Sequence, residues 1–349
     1  MLIDSPIFLR LVMVVTLVFL LNACSVFASN PVVPEPLSRQ HQPVRGSLIL
    51  KAPVLSFNDT GLNVSDGVTR NGLWEVDSAD IAWEFSLDLG LTWTKGIGTF
   101  FEVKDDGAKV IWVRARDDEG NTSEIVRVNC FLDTHAPESI SISHQLNGVT
   151  NTLKFSNLEP GGRWEYAFDP HGEWTPGKGA GIAIFGNDLD RVWLRQVDLA
   201  GNVSAPLSFE LKDLQTPQFE ASNDPLLPTV LAQGLQTFLI HGVVSKGDSD
   251  FVRWDIPKGQ QLLSVKWTHL PTQNSSAFYA LQADKVFDTG SNLSRTLLAG
   301  PLDSSNLKRN LVSHLPPSKL GEGPMTLMVQ QNDPKATNYL LEIILTPEK

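Results

Sequence analysis

The stretch WEFSLDLGLTWTKGIGTFFEV at residues 83–103 returns later in the chain as WEYAFDPHGEWTPGKGAGIAI at residues 164–184. A second pair, VIWVRARDDEGNTS from Val110 and RVWLRQVDLAGNVS from Arg191, aligns at the same offset of 81 residues without a gap. Agreement of both spacing and residue type over such lengths indicates an internal duplication. Each copy has about the size of a small sandwich domain.

Short runs of alternating polarity fill each copy. In the first, Ile111, Val113 and Ala115 alternate with Trp112 and Arg114, which is the period of a half-buried β-strand. An Asp-x-x-Gly-Asn phrase then predicts a turn, since Gly and Asn tolerate positive φ and Asp bonds the backbone ahead of it. We therefore predict two tandem sandwiches, repeat 1 at residues 51–134 and repeat 2 at residues 135–213.

The composition limits the class of partner. The chain has 349 residues and a formal net charge of −11, without a Lys/Arg cluster that could face phosphates. Nucleic acid is therefore excluded as an expected partner. The 26 glycines and 22 prolines stand between short apolar runs, which is typical of all-β proteins.

The N-terminus predicts export. An apolar run at residues 11–21 follows Arg10 and precedes small residues, as in a signal peptide. Cleavage after Ala28 gives a signal peptide of residues 1–28, whereas a lipobox-like Leu-Asn-Ala-Cys gives a lipoprotein signal of residues 1–23 and a lipidated Cys24. Both readings stay open here. In the second, the lipid on Cys24 is the one expected membrane contact. Residues 29–50 are predicted to be a Pro-rich linker.

The two copies resemble bacterial immunoglobulin-like repeats of large surface adhesins. The phrases that carry the resemblance are the Trp83 stretch, VRARDDEGN and LDTHAPESISIS, and it covers roughly Lys51 to Asp213. It implies immunoglobulin-like modules that serve as spacers, scaffolds or adhesive units, and it supplies no catalytic residues.

Residues 217–349 lack the repeat pattern and predict a third sandwich. Four runs alternate: Val252, Trp254 and Ile256; Leu263, Val265 and Trp267; Met325, Leu327 and Val329; Tyr339, Leu341, Ile343 and Leu345. The segment resembles the bacterial pre-peptidase C-terminal domain, a jelly-roll-like module, through Asp248-Ser249-Asp250, the turn at residues 257–260 and the strand from Tyr339. Such domains accompany secreted enzymes, and some bind calcium through acidic loops. The predicted fold class is all-β: two immunoglobulin-like sandwiches and a C-terminal jelly-roll-like sandwich.

One phrase has the spacing of an Asp-box, S-x-D-x-G-x-T-W, and resembles the motif of sialidase propellers. Its members are Ser86, Asp88, Gly90 and Trp93. We interpret it as a structural hairpin turn, since Asp caps the turn and Gly supplies an unusual φ. The chain is too short and too differently patterned for a propeller.

Two acidic turns offer oxygen ligands for calcium, which is the one cofactor the sequence suggests. The candidate ligands are Asp117, Asp118, Glu119 and Asn121 in the first turn, and Asp248 and Asp250 in the second. Solvated turn acids are the alternative interpretation. Six of the nine tryptophans pair across the repeats, which favours a shared core role, and Cys130 is expected to be a buried, unpaired thiol.

The predicted function follows from these elements. We expect a non-catalytic cell-envelope protein that acts in adhesion or binds a protein or glycan at the bacterial surface. It would be an outer-membrane lipoprotein or periplasmic, and extracellular if secreted. One alternative is a secreted hydrolase of glycans, or its accessory subunit, which requires two carboxylates facing one cleft. The other is a structural subunit of an envelope assembly.

Overall fold

A computed structural model describes residues 49–78, 81–186, 189–211, 219–269, 277–290, 293–332 and 336–347. The predicted signal peptide, Cys24 and all but the last two residues of the predicted linker lie outside the described residues. The predicted all-β class is confirmed, since the elements described are 23 strands and two short 3₁₀ turns, Leu293–Arg295 and Pro317–Lys319. Within these ranges, no helix has the length and apolar character needed to cross a membrane.

Repeat 1 is a sandwich of two sheets. One has the order β1-β3-β6, and the other has the order β2-β8-β7-β4-β5. The strands are β1 (Val54–Phe57), β2 (Val68–Thr69), β3 (Leu73–Asp77), β4 (Trp83–Ser86), β5 (Thr94–Lys95), β6 (Phe100–Glu102), β7 (Gly107–Ala115) and β8 (Val126–Leu132).

The core of repeat 1 lies where the alternation predicts it. Ile111, Val113 and Ala115 of β7 are each fully buried, and Trp83 of β4 faces the same interior. Cys130 is buried and unpaired, and burial raises the pKa of its thiol. The expectation of a buried, unpaired thiol is therefore confirmed.

Repeat 2 repeats the strand pairing of repeat 1. Its strands are β9 (Ser141–Asn147), β10 (Thr150–Ser156), β11 (Arg163–Ala167), β12 (Thr175–Pro176), β13 (Gly181–Phe185), β14 (Arg191–Val197) and β15 (Leu207–Glu210). Trp83 lies opposite Ala115 in the first copy, and Trp164 lies opposite Gln196 in the second, at the same 81-residue offset.

Single hydrogen bonds are duplicated as well. The indole Nε1 of Trp83 donates to the carbonyl oxygen of Gly98 at 2.9 Å, and that of Trp164 donates to Gly179 at 2.6 Å. Both glycines adopt positive φ, near 70°, which Gly reaches without steric cost. The same loop therefore closes over the same core indole in both copies.

The described part of the C-terminal segment contains eight strands. They are β16 (Thr229–Val230), β17 (Thr237–Val244), β18 (Ser249–Ile256), β19 (Gln260–His269), β20 (Ala277–Gln282), β21 (Thr296–Leu302), β22 (Gly323–Gln330) and β23 (Thr337–Pro347). Five of them form one sheet with the order β16-β18-β22-β20-β21. The other three, β17, β23 and β19, join the sheet of repeat 2 and make it six-stranded, with the order β19-β23-β17-β13-β10-β9.

Backbone hydrogen bonds thus cross the boundary that the sequence predicts between residues 213 and 217. β17 pairs in parallel with β13, with Ile184 opposite Leu239. Leu239 and Leu340 of the C-terminal segment lie in the core of repeat 2, and Phe185 of repeat 2 lies in the core of the C-terminal segment. Repeat 2 and the C-terminal segment therefore bury one another's apolar side chains.

Most of the alternation predicted for the C-terminal segment is confirmed. Tyr339, Leu341, Ile343 and Leu345 are fully buried, and so are Trp254 and Trp267. Leu263 was expected inside but is 46% exposed. A β-bulge between Leu262 and Ser264 inserts one residue into β19, which moves Leu263 to the outer face.

Candidate binding clefts

A cleft of about 240 Å³ lies between repeat 2 and the C-terminal segment, and we call it the junction cleft. Strands β11 and β12 supply one wall, and strands β19 and β23 supply the other. Its lining residues are Tyr166, Phe168, Glu173, Trp174, Thr175, Pro176, Lys266, Thr268, Lys308 and Glu342. Aromatic rings of repeat 2 and charged groups from both parts of the chain therefore converge on one small space.

Trp174 is held in place by a charged stack. The guanidinium carbon of Arg195 lies 4.1 Å from the centre of its ring, and Arg195 is fixed by a 2.7 Å ion pair with the buried Glu165. Repeat 1 has the same arrangement, with Arg114 lying 3.8 Å above Trp93. A cation over an indole face is stabilising, and the ion pair fixes the ring's position.

The core role expected for all six paired tryptophans is therefore wrong for four of them. Trp83 and Trp164 are buried, whereas Trp93, Trp112, Trp174 and Trp193 are half-buried, and each lies under an arginine. Only the pair of Trp93 with Arg114 recurs at the 81-residue offset, as Trp174 with Arg195.

The charges of the junction cleft are paired. Glu342 is 1% exposed, accepts a hydrogen bond from the Tyr166 hydroxyl, and lies 3.4 Å from the ammonium of Lys266. Burial, and then the Glu342 charge, raise the pKa of Tyr166 well above its ordinary value. Lys308 donates to Glu173 and lowers the pKa of that carboxyl. Both carboxyl groups are thus tied to cations.

The carboxyl groups of the junction cleft are held by ion pairs and a hydrogen bond. Glycosidases need one carboxyl group with a raised pKa that acts as the general acid. Glu173 has a lowered pKa, because Lys308 favours its ionised form. Glu342 is already held by Tyr166 and Lys266.

A larger, open cleft of about 900 Å³ lies in repeat 1 alongside β6, and we call it the edge cleft. Its lining residues are Ser56, Leu73, Glu75, Val76, Asp77, Ser78, Ile81, Ala82, Trp83, Gly96, Gly98, Thr99 and Phe100. The outer side of β6 is solvent-accessible: Phe100 is 59% exposed, and Glu102 forms a 3.4 Å ion pair with exposed Lys104.

The Asp-box residues form a closed turn. Asp88 accepts from the amide of Thr92 at 2.9 Å and from the hydroxyl of Ser86 at 2.7 Å, and Gly90 adopts a φ of 84°. These hydrogen bonds, and above all the one that the Thr92 hydroxyl donates to Asp88, lower the pKa of Asp88 to about 2. Trp93 donates from Nε1 to the Gly90 carbonyl at 3.1 Å. The polar groups of the motif therefore bond one another within the turn, as expected for a structural motif.

The first set of candidate calcium ligands is also occupied. Both carboxylate oxygens of Asp117 accept from Asn121, one from its backbone amide and one from its side chain, each at 2.8 Å. Asp118 and Glu119 are exposed to solvent. The turn therefore caps itself and does not fit an inward-facing set of calcium ligands.

The second set is brought together with one residue that the sequence analysis missed. Asp248, Asp250 and Glu220 each place a carboxylate oxygen within 4.8 Å of the others. Asp250 is 1% exposed, Tyr339 donates to its Oδ2 at 2.6 Å, and its Oδ1 has no hydrogen-bond partner among the described residues. Burial raises the pKa of Asp250 to about 7. Clustered oxygens of this kind fit calcium.

Several site residues could not be predicted from the sequence. Glu220 follows the link between repeat 2 and the C-terminal segment, far from Asp248 in sequence. A third acidic cluster, Asp106 with Asp133 and His135, has its Asp106 carboxylate bonded to both the amide and the hydroxyl of Thr134. The junction cleft was not predicted because the strands that form its two walls lie roughly a hundred residues apart in the sequence.

Comparison with known proteins leaves the family open. No family model matches the chain, and no curated protein matches it. Among solved structures, the Salmonella Typhimurium PliG, a periplasmic inhibitor of g-type lysozyme, aligns at 19% identity over 33% of this chain and 92% of its own, with a TM-score of 0.21. A carbohydrate-binding module of the β-sandwich superfamily aligns at 9% identity over 84% and 97%, with a TM-score of 0.24.

A structure with a xylogluco-oligosaccharide aligns at 8% identity over 85% of this chain and 79% of its own, again with a TM-score of 0.24. At TM-scores this low, the likenesses carry no weight for the fold or for the ligand. The all-β architecture rests on the sheets described above, and the resemblance to the pre-peptidase C-terminal domain stays a prediction.

Proposed function

We propose that this protein is a non-catalytic binding protein of the bacterial cell envelope that holds a short glycan unit in the junction cleft. The observation that carries the proposal is that the partly exposed rings of Phe168 and Trp174 lie beside paired charges in one space. Ligand sites are typically concave and combine apolar rings with a few placed polar groups. A sugar has apolar C–H faces and many hydroxyls, so it matches such a lining.

The size of the cleft narrows the ligand. Its volume of about 240 Å³ is somewhat below the ~300 Å³ at which drug-sized pockets begin. A short sugar unit is therefore the better fit, with the rest of a longer glycan left in solvent. Lys266, Lys308, Glu173 and Thr268 offer donors and acceptors for hydroxyl groups at the cleft wall.

The test is calorimetric titration with a panel of soluble oligosaccharides, including peptidoglycan disaccharides and cellulose- and chitin-derived oligomers. We expect saturable binding of at least one, lost in Trp174→Ala. Trp93→Ala is the matched control, because Trp93 has the same arginine stack without the C-terminal wall. Equal loss in both variants, or binding of none of the panel, would refute the proposal.

The absence of catalysis is part of the proposal and needs its own measurement. Oligosaccharides that bind are incubated with the protein for a day and analysed by chromatography. We expect no cleavage products, because Lys308 favours the ionised form of Glu173, whereas a general acid must hold its proton. Products that disappear in Glu342→Gln would identify a hydrolase.

Envelope location and adhesion extend the proposal to the N-terminal residues 1–48. Intact-mass analysis of the mature protein, with membrane fractionation, separates a chain acylated on Cys24 from one that starts at Ser29. A stoichiometric protein partner recovered with the chain would favour the alternative of a structural assembly subunit.

A further inference from the structure

Strand β13 of repeat 2 has a neighbour on each side. On one side lies β10, and on the other lies β17, which comes from the C-terminal segment. The pairing with β17 is parallel, and it places Ala183 opposite Phe238 and Ile184 opposite Leu239. Leu239 is fully buried in the core of repeat 2. An added strand thus completes this sandwich from outside the repeat.

The added strand is locked at its first residue. The Thr237 hydroxyl accepts from the amide of Lys178 at 2.8 Å and donates to the carbonyl of the same residue at 3.0 Å. Beside it, a Cβ on Gly179 would lie 3.2 Å from the side chain of Gln236. The loop that precedes β13 is therefore the entry point of the added strand.

Among the described residues, repeat 1 has the same edge without the added strand. The 81-residue offset places β6 at the position of β13, and β6 is the last strand of its sheet. The loop before β6 keeps the glycine conformation of repeat 2, yet a Cβ on Gly98 would meet nothing within 4 Å. Ile97, at the position of Lys178, is 86% exposed. The edge cleft is lined by Gly98, at the position of the Gly179 that lies beside Gln236 in repeat 2.

The side chains along this edge differ from those of repeat 2 in a way that specifies a different occupant. Glu102 stands at the position of Ala183, and Lys104 stands at that of Phe185. Both are exposed, so the outer face is charged where repeat 2 is apolar. Opposite charges on directly opposed residues stabilise strand pairs, and like charges destabilise them.

The inward side of the edge remains apolar. Val103 stands at the position of Ile184, which lies opposite Leu239 in repeat 2, and its side chain is buried in the core of repeat 1. An aliphatic side chain opposite Val103 would leave water and pack against this core.

From these observations we propose that β6 receives an extended segment of another protein, which adds as a parallel strand. Its successive side chains are a hydroxyl that bonds Ile97, a cation opposite Glu102, an aliphatic group opposite Val103 and an anion opposite Lys104. Main-chain hydrogen bonds supply affinity in such strand addition, and alternate side chains supply specificity. This site is independent of the junction cleft.

The segment is also short. In repeat 2, Gly186 follows β13, and a Cβ there would lie 2.0 Å from the carbonyl oxygen of His241. Repeat 1 has Asp105 at that position, with a φ of 61°. The register of β13 with β17 ends at Phe185 opposite Ile240, so we expect pairing along β6 to end opposite Lys104, just before Asp105.

The experiment uses a fluorescein-labelled peptide with the sequence of residues 236–244 that carries Phe238→Lys and Ile240→Glu. A second peptide carries the opposite charges, Phe238→Glu and Ile240→Lys. Binding to the full chain is measured by fluorescence anisotropy. The matched protein variant is Glu102→Lys with Lys104→Glu, which keeps the net charge and the ion pair between the two residues.

We expect the wild type to bind the first peptide roughly tenfold more tightly than the second. The charge-swapped protein should reverse that preference, and hydrogen exchange should slow at the amides of Glu102 and Lys104. Trp174→Ala should bind both peptides as the wild type does, which separates this site from the proposed glycan site. An unchanged preference in the charge-swapped protein, or no saturable binding of either peptide up to millimolar concentration, would overturn the proposal.

Discussion

Replacing Leu239 by alanine tests whether repeat 2 and the C-terminal segment are one structural unit. Leu239 belongs to β17 but is fully buried in the core of repeat 2. Truncating a buried leucine removes its transfer free energy and leaves a cavity, at a cost of about 2–5 kcal/mol. The site is held between β13 and β23, so the backbone has little freedom to collapse into the cavity. We expect a loss of about 3 kcal/mol in the free energy of unfolding.

The assay is urea unfolding followed by tryptophan fluorescence, with amide hydrogen exchange on the same samples. Leu263→Ala is the control, since Leu263 is 46% exposed on β19 of the same sheet, and we expect a change below about 0.5 kcal/mol. In Leu239→Ala, exchange should accelerate in β10 and β11 as well as in β17. A loss under about 1 kcal/mol, or faster exchange confined to the C-terminal strands, would show that repeat 2 has a core of its own.

Three further predictions concern single groups. Burial raises the pKa of Asp250 from 3.8 to about 7, so the folded state holds this proton more tightly than the unfolded chain. The protonated carboxyl therefore contributes its full stabilisation below pH 3.8, and this stabilisation is lost as pH rises to about 7. Asp250→Asn should therefore gain stability relative to the wild type between these pH values, by up to roughly 4 kcal/mol in urea titrations, and a pH-independent difference would contradict the assignment. Millimolar calcium at pH 8 should raise the melting temperature of the wild type and of Asp117→Asn but not of Asp250→Asn, and an equal rise in all three would exclude the Glu220 cluster as the ligand set. Gly177→Ala should destabilise the protein by about 1–3 kcal/mol, because a Cβ there would lie 2.0 Å from the Trp164 ring, and unchanged thermal melting would show that the indole can move aside.

The duplication could be predicted from the sequence because its contacts lie within each copy. Glu84 pairs with Arg114 thirty residues away, and the same pair recurs as Glu165 and Arg195. Residues that depend on one another within a copy are retained together, so the duplication shows in the sequence at a constant offset. The alternation of the strand from Tyr339 likewise follows from one face being buried.

The pairing of β13 with β17 was not predicted, although the sequence of β13 contains a signal for it. β13 reads Gly-Ile-Ala-Ile-Phe, apolar at every position, and all five residues are buried. A strand without alternation is typical of the middle of a sheet that is covered on both faces. The corresponding Phe100–Lys104 stretch of repeat 1 carries Glu102 and Lys104, as an edge strand does.

The turns show the same difference. The Asp-x-x-Gly-Asn turn of repeat 1 holds Asp118 and Glu119 and is exposed, whereas that of repeat 2 holds Leu199 and Ala200 and packs against repeat 1. There the amide of Leu62 donates to the carbonyl of Leu199 at 3.0 Å. The identical turn skeleton predicted the local conformation in both copies, but only the side chains at its tip separate a free turn from a docked one.

By itself, the sequence determined the strand periodicity, the duplication and the turn chemistry, because these depend on neighbours a few residues away or on one repeated unit. Only the tertiary structure decided that β17 joins β13, that Glu220 meets Asp250, and that Trp174 faces Lys266 across a cleft. Those pairings join segments tens of residues apart, and their partners are selected by the mutual burial of whole sheet faces, which leaves no fixed spacing in the chain.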